Sequence, residues 1–315
     1  MHRIDGPTAA PGGLWTEGDP VGGVPATIVS AAWMNDTQEN LIAVLVAAGI
    51  TPVKGNYAQL LAALPVISGH GQCRLSVGST TTLVLSPFNG RNVIVNGVPL
   101  QLPTGGVTYT IGALAASTVY YVYLSGTTAA PVLNVSTTAY ATGTNGVTVK
   151  SGDATQTLVG MVRTNASTQF VDSITSRTCI NWFNRRKVVA TTANTGPFSF
   201  TNTTLAETST LIRVPFLVWA DDVPIVNVSS GTTQTSGSPA ITKINFQVFM
   251  DGISTAYSPA TASVIQPTYD LTISTHGALG GLSEGYHFAT LGTYVGPNGG
   301  TLNINNIQAT VNING

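Results

Sequence analysis

The sequence predicts a mainly β protein: an N-terminal extended arm plus two short helices, then β-sandwich or jelly-roll-like domains. Three observations lead there. Gly and Pro crowd the first 27 residues, helical spacing is confined to residues 30–64, and after His70 short apolar runs alternate with turn residues.

The arm comes first. Gly6-Pro7, Pro11-Gly12-Gly13, Asp19-Pro20, Gly22-Gly23 and Pro25 interrupt any regular pattern. Proline fixes φ and glycine relaxes it, so neither helix nor strand is expected. Trp15 sits inside this stretch, and one large aromatic on an extended arm suits a docking strap; the alternative is a frayed terminus.

The two helices follow. Ser30 is placed to cap a helix over 30–48, in which Trp33, Leu41, Val44, Leu45 and Ala48 share one face, and Gly49 suits the position beyond its end. Asn56 is placed to cap a second helix with Leu60, Leu61 and Leu64 on its apolar face and Pro65 as its stop. Two short amphipathic helices bury little alone and need each other, a second copy or another protein.

The β pattern then takes over. Strands are expected at Thr82–Leu85, Asn92–Val95, Val98–Leu102, Val107–Ile111, Thr118–Leu124 and Leu158–Val162. Asn96-Gly97 is a type I′ hairpin signal, and Asn145-Gly146 marks a further turn. After Lys187, strands are expected at Leu211–Val218, Ile225–Val228, Ile241–Met250, Tyr269–Ile273, Tyr286–Val295 and Thr301–Ile313, with a hairpin turn at Asp251-Gly252 and a Ser/Thr/Gly loop over Thr232–Pro239. The domain reading is therefore 1–69 for the arm and helices, 70–186 for a middle β domain and 187–315 for a C-terminal sandwich. No short-period repeat points to a solenoid.

Composition bounds the function. Hydrophobic residues make up 43% of the 315 and charged residues only 8%, against about 25% in an average soluble domain. Disordered chains have the opposite balance, so the chain is expected to fold. A surface of hydroxyls and amides suits burial between copies or contact with sugar-coated surfaces. Net charge is −1 and the only basic run is Arg185-Arg186-Lys187, read as a solvated hinge, so nucleic-acid binding is not expected. Cys73 and Cys179 match no metal or redox spacing and read as free buried thiols, with a bridge between them as the alternative. The first residues lack the apolar core of a signal peptide and no stretch reaches membrane-spanning length, so a soluble protein without membrane insertion is expected.

The residues offer little chemistry. Thirteen acidic residues and four histidines offer no converging set, and Walker, Rossmann and nucleophile-elbow motifs are absent. Asp221-Asp222 is the one adjacent carboxylate pair, but Asp-Asp-Val-Pro reads as a turn. His276, Glu284 and His287 match no standard metal spacing. Tyr120, Tyr121 and Tyr123 would suit sugar stacking; core packing is the simpler reading, with Tyr121 and Tyr123 on one face and Tyr120 on the other. No catalytic residue, metal ligand or cofactor is assigned, and an enzyme is not expected.

Residues Met1–Pro7, Thr16-Glu17-Gly18-Asp19-Pro20, Trp33-Met34-Asn35, Gln38-Glu39, Ala47–Ile50 and Gln59–Ala63 resemble the N-terminal module of bacteriophage tail-fibre proteins. Ser117–Tyr123, Leu158–Thr164 and Trp182–Arg186 resemble a β-module of phage virion surface proteins, and Ser283–His287 more loosely resembles phage jelly-roll tips. The resemblance implies a structural tail-fibre or fibre-like subunit in the virion tail, assembled in the host cytoplasm and forming a homotrimer. Its N-terminus would dock on tail or baseplate proteins, and its distal β domain would meet host surface polysaccharide or protein. Arg3, Asp5, Trp15, Trp33, Leu41 and Leu45 are the docking and assembly candidates. The alternatives are an adaptor carrying other fibres, a capsid head fibre or decoration protein, and a polysaccharide-degrading tailspike. The chain has no long repetitive shaft.

Overall fold

The computed structural model describes residues 2–67, 69–143, 145–230, 233–236, 243–253, 256–263, 270–296 and 301–315. It is mainly β, and the chain forms two compact units, Met1–His70 and Gly71–Gly315.

In the first unit the arm lacks helix and strand, as its glycines and prolines dictate, but it is looped rather than straight. The Ala10 N–H donates to the Leu14 carbonyl, and Asp19 and Val24 exchange two backbone bonds, closing two tight turns. Helix α1 spans Ala31–Ala47, and the Trp33 N–H donates to the Ser30 hydroxyl at 3.2 Å, the predicted cap. At its other end Gly49, with φ 71°, donates to Val46, and Ile50 donates to Leu45. This pair of bonds is a Schellman stop, and it needs the left-handed conformation that Gly adopts without a Cβ clash. Helix α2 spans Gln59–Ile67, with the Asn56 side chain accepting from the Ala58 N–H. It runs two residues past Pro65, contrary to the predicted stop. A proline near the end of a nine-residue helix forfeits one N–H late in the ladder, and the remaining turn tolerates it. The helices pack through Leu45, Ala48 and Ala63, with Val44 and Ile50 beside them.

The second unit opens with β1 (Cys73–Ser79), β2 (Thr82–Pro87), β3 (Asn92–Val95), β4 (Val98–Gln101) and β5 (Val107–Thr110). It continues with β6 (Val119–Thr127), β7 (Ala130–Ser136), β8 (Tyr140–Thr142), β9 (Thr148–Lys150), β10 (Asp153–Arg163) and β11 (Cys179–Asn181). Strands β1-β2-β5 form one sheet, β3-β4 a hairpin, and β7-β6-β10-β9-β8 a larger sheet to which β11 adds beside β10. Asn96 and Gly97 both have positive φ, 50° and 77°, as the predicted hairpin requires.

Strand β10 is buried on both faces. Val159 and Val162 join the core of the first strands, whereas Leu158 and Met161 join that of the C-terminal strands. That explains why Leu158–Val162 reads as a continuous apolar run instead of an alternation. A Cβ on Gly160 would lie 2.6 Å from the Ile180 carbonyl oxygen and 2.7 Å from Leu75 Cδ2, so glycine is what lets β10 approach β11 and β1.

The remaining strands are β12 (Lys187–Asn194), β13 (Phe198–Phe200), β14 (Ala206–Glu207), β15 (Val214–Val218), β16 (Ile225–Ser229), β17 (Thr233–Ser236) and β18 (Lys243–Met250). After them come β19 (Ala256–Ser263), β20 (Asp270–Leu271), β21 (Ser274–Ala278), β22 (Gly285–Val295), β23 (Thr301–Ile304) and β24 (Ile307–Asn314). Sheet β12-β24-β16-β21 has the same order as sheet β13-β23-β17-β20, each strand of one continuing a strand of the other. They are two halves of one sheet broken across its middle. Strands β14 and β15 both pair with β22, which pairs with β18, and β18 pairs with β19. Counted as eight passes of chain, one layer runs first-eighth-third-sixth and the other second-seventh-fourth-fifth, which is a jelly-roll order. The alternation in β24 sets its faces: Ile307, Ala309, Val311 and Ile313 point into the core and Gln308, Thr310, Asn312 and Asn314 point out.

Four further segments depart from the expected strands and loops. The single strand expected over Thr301–Ile313 is two, divided at Asn306 with φ 55°. Leu211 lies in a 3-10 turn over Thr210–Ile212 capped by Ser209, and strand begins only at Val214. The loop expected over Thr232–Pro239 contains β17, whose backbone pairs with β23; Thr and Ser tolerate extended pairing, and Thr232 and 237–239 lie outside the described residues. Of Tyr269–Ile273, Asp270–Leu271 is strand, Thr272 and Ile273 are not, and Tyr269 lies outside the described residues.

Candidate functional site

In the first unit the arm folds back on α1. Trp15 meets Trp33 edge to face at 5.2 Å between ring centres. The Trp33 Nε1–H donates to the His2 carbonyl, and the Arg3 guanidinium donates to the Gly12 carbonyl. The His2 ring pairs with Asp36 at 2.7 Å and stands 3.6 Å from Asp5. The hydrogen bond to Asp36 raises the His2 pKa and holds the Asp36 carboxyl below its usual range. Gly13 allows the turn to lie on residues 3 and 4, where a Cβ would come within 2.9 Å of Arg3 Cβ.

The sequence-predicted residues therefore separate. Trp15 and Trp33 hold the arm against the helix, Arg3 bonds within the arm to Gly12, and Trp15 remains 47% exposed. Asp5 is exposed beside His2, and Leu41 is 46% exposed. Leu45 faces α2 and belongs to the small helix core, so it is not part of the outward surface. Met34, Val46 and Tyr57 are exposed apolar residues that helical spacing alone left unassigned, and Leu60, Leu61 and Leu64, the expected apolar face of the second helix, are exposed as well, because α2 packs on α1 through Ala63.

In the second unit, a cluster of polar and aromatic groups lies at the joint between the middle strands and the jelly roll. The hydroxyls of Tyr121 and Tyr140 donate to the two oxygens of Glu284 at 2.6 and 2.7 Å. Tyr140, Trp182 and Trp219 pack as neighbouring rings, and the Trp219 Nε1–H donates to the Asn181 carbonyl. Arg185 lies over Trp182 and Trp219 and binds Asp221 at 2.6 Å. The solvated-hinge reading is thus corrected for Arg185: stacking and an ion pair hold it. Burial first, and then the bond to Glu284, push the Tyr140 phenol up to about 12; the same causes raise Tyr121. Tyr123 is fully buried, donating to the Thr138 carbonyl, and Tyr120 sits in the other core, so the tyrosines pack on the faces expected.

The residues drawn as possible metal ligands do not converge. Glu284 serves the tyrosines, His276 lies on β21, and His287 is held elsewhere. Among the described residues no group of three His, Cys, Asp or Glu side chains could hold a metal ion. His287 does stand between Asp251 and Ser283, an order that suggests a nucleophilic triad. Its Nδ1 is 2.6 Å from the Asp251 carboxylate, but its Nε2 is 2.8 Å from the Ser283 carbonyl oxygen and 3.5 Å from the Ser283 hydroxyl. Nε2 is thus turned to the Ser283 backbone, and the hydroxyl at 3.5 Å is too distant for a nucleophile–base bond. The three residues clamp the Asp251-Gly252 turn to β22.

Asp221 and Asp222 lie in the predicted turn and have different roles. Asp222 is 7% exposed and accepts from the Val223 N–H and from the backbone and side-chain N–H groups of Asn314. Asp221 is exposed beside Arg185. Both border a concavity of about 280 Å³ on the outer face of the β12-β24-β16-β21 sheet.

No family model matches the chain, and no curated protein matches it. Among solved structures, it is similar to the insecticidal delta-endotoxin Cry8Ea1 from Bacillus thuringiensis at 7% identity and TM-score 0.22, over 76% of this chain and 51% of that one. It is also similar to infectious bursal disease virus Gx strain, at 14% identity and TM-score 0.24 over 75% of this chain and 69% of that one. A third likeness is to the VP2 subviral particle of infectious bursal disease virus, at 13% identity and TM-score 0.19 over 64% and 62%. The chain spans about half the length of the first of these, and at such TM-scores none carries an argument about function.

Proposed function

We propose that the chain is a structural, fibre-like attachment subunit of a phage virion. Its N-terminal unit docks on a tail or baseplate protein, and its β unit faces the host. One observation carries this reading. Among the described residues, 14 of the 22 exposed large apolar side chains lie between Leu14 and Leu64. Val21, Tyr57 and Leu61 are 99%, 98% and 73% exposed, while the unit's own buried cluster is Leu45, Ala48 and Ala63. A unit this small with so little core needs a covering surface. The β unit has two cores of its own and needs none.

Deleting residues 2–64 tests the docking role. The expected product is a folded β protein that no longer enters particles; incorporation at normal occupancy would overturn the reading. The same uncovered side chains support self-association, for which we propose a homotrimer. Light scattering that gave a stable mass near 32.5 kDa at micromolar concentration would rule that out.

A further inference from the structure

The outer face of the β12-β24-β16-β21 sheet is nearly free of charge. Its rows set Val189, Asn312, Ile225 and Ala278 side by side, then Thr191, Thr310, Asn227 and His276. At one end the surface dips into the 280 Å³ concavity, bordered by Lys187, Asp221, Val223, Ile225, Asn312 and Asn314. Two interactions shape it. Asp222 takes the side-chain donor of Asn314 at 2.6 Å, which leaves the Asn314 amide oxygen as an open acceptor. Arg185 binds one oxygen of Asp221, leaving Oδ2 for another donor. Val223 and Ile225 form an aliphatic side that is 54% and 46% exposed.

We propose that this concavity binds one neutral sugar residue of a surface glycan. Charge decides against an ionic ligand. Asp221 is paired with Arg185, and Lys187 and Asp222 contribute one charge of each sign, so the formal charges around the site sum to zero. A pyranose has a C–H face and a rim of hydroxyls that each donate and accept. Val223 and Ile225 answer the face, and Asp221, Asn312, Asn314 and Lys187 answer the rim. The volume lies just under the roughly 300–1,000 Å³ of pockets for drug-sized ligands, which suits a single ring. Further sugars would leave across the open rows, where Thr310 and Asn227 continue the hydroxyl and amide surface.

This inference deepens the attachment role and rests on the β unit facing the host. The test is titration of the full chain with the methyl glycosides of glucose, galactose and mannose, and with glucuronate as a charged probe, read by saturation-transfer NMR. At least one neutral glycoside is expected to bind saturably in the millimolar range. Asn312→Ala and Asp221→Asn are expected to weaken it about tenfold, the loss of one or two polar contacts, and Ser274→Ala on the same sheet face to leave it unchanged. No saturable binding, preference for glucuronate, or binding that survives both substitutions would overturn the proposal. Particle incorporation reads the N-terminal unit and glycoside binding reads the β unit, so either reading can fail alone.

Discussion

The Tyr121 hydroxyl, on β6, donates at 2.6 Å to Glu284, which lies 163 residues further along the chain at the start of β22. Tyr140 donates to the other oxygen of the same carboxylate. One acidic side chain thus fastens the middle strands to the jelly roll.

That bracket should be measurable as coupling. Tyr121→Phe removes one of two donors, and Glu284→Gln removes the charge and replaces one of the two accepting oxygens with an NH2 group that only donates. Hydrogen bonds to a charged group contribute about 1.5–3 kcal/mol, and partial exposure places each substitution toward the low end. A double-mutant cycle by urea unfolding is expected to give a coupling of about 1 kcal/mol. Additive losses would mean that the bond does not fasten the joint.

Glu207 gives a pH dependence of known sign. Arg213 binds it through two parallel hydrogen bonds, at 2.8 and 2.7 Å, and Thr290 donates to it as well. The bond to Arg213, ahead of the cost of burial, holds the Glu207 carboxyl below its ordinary 4.5. A depressed folded value contributes stability above the unfolded value, and that contribution is lost as pH falls through the folded one. Glu207→Gln is therefore expected to cost about 1 kcal/mol at neutral pH. Its deficit should shrink as the solution is acidified below 4.5. An unchanged deficit in acid would show that the ion pair is not its source.

Gly160→Ala puts a methyl group into the Ile180 carbonyl and the Leu75 side chain. Overpacking of this kind costs about 1–3 kcal/mol, and the backbone contact places the variant at the upper end. A thermal melt within a degree or so of wild type would contradict the close approach.

Both cysteines are free thiols, and burial pushes Cys73 up to about 12. Burial raises Cys179 too, with Asp172 adding to it. Neither is expected to react with a disulfide reagent at neutral pH until the protein unfolds, when both should react together. Prompt reaction of either thiol in the folded protein would refute this.

Local signals were the legible ones. Asn96-Gly97 and Asp251-Gly252 announce turns because the required positive φ is a property of those residues, and Ser30 and Gly49 mark their helix ends for the same kind of reason. The face assignment of Tyr120, Tyr121 and Tyr123 followed from the period of a strand. What failed depended on distant partners. Arg185 looked solvated because nothing nearby in sequence says that Trp219 and Asp221 will surround it. Strand β17 hid in a Ser/Thr/Gly stretch because its pairing comes from β23, about 65 residues later. The concavity above Asn312 was equally invisible, since its walls come from three separated segments.

The position of β24 has a consequence for how the protein is made. It lies between β12 and β16, so the centre of the layer is filled by the strand synthesised last. Until Ile307–Asn314 has left the ribosome, the jelly roll has two open edges facing an empty slot and cannot close. The middle strands, whose partners are all made by Asn181, face no such delay. Translation should therefore yield a nascent chain that is protease-resistant in its middle and dependent on chaperones beyond it. Chains terminated before Ile307 are expected to aggregate through those edges, which would be read as insoluble product where the full chain stays in solution.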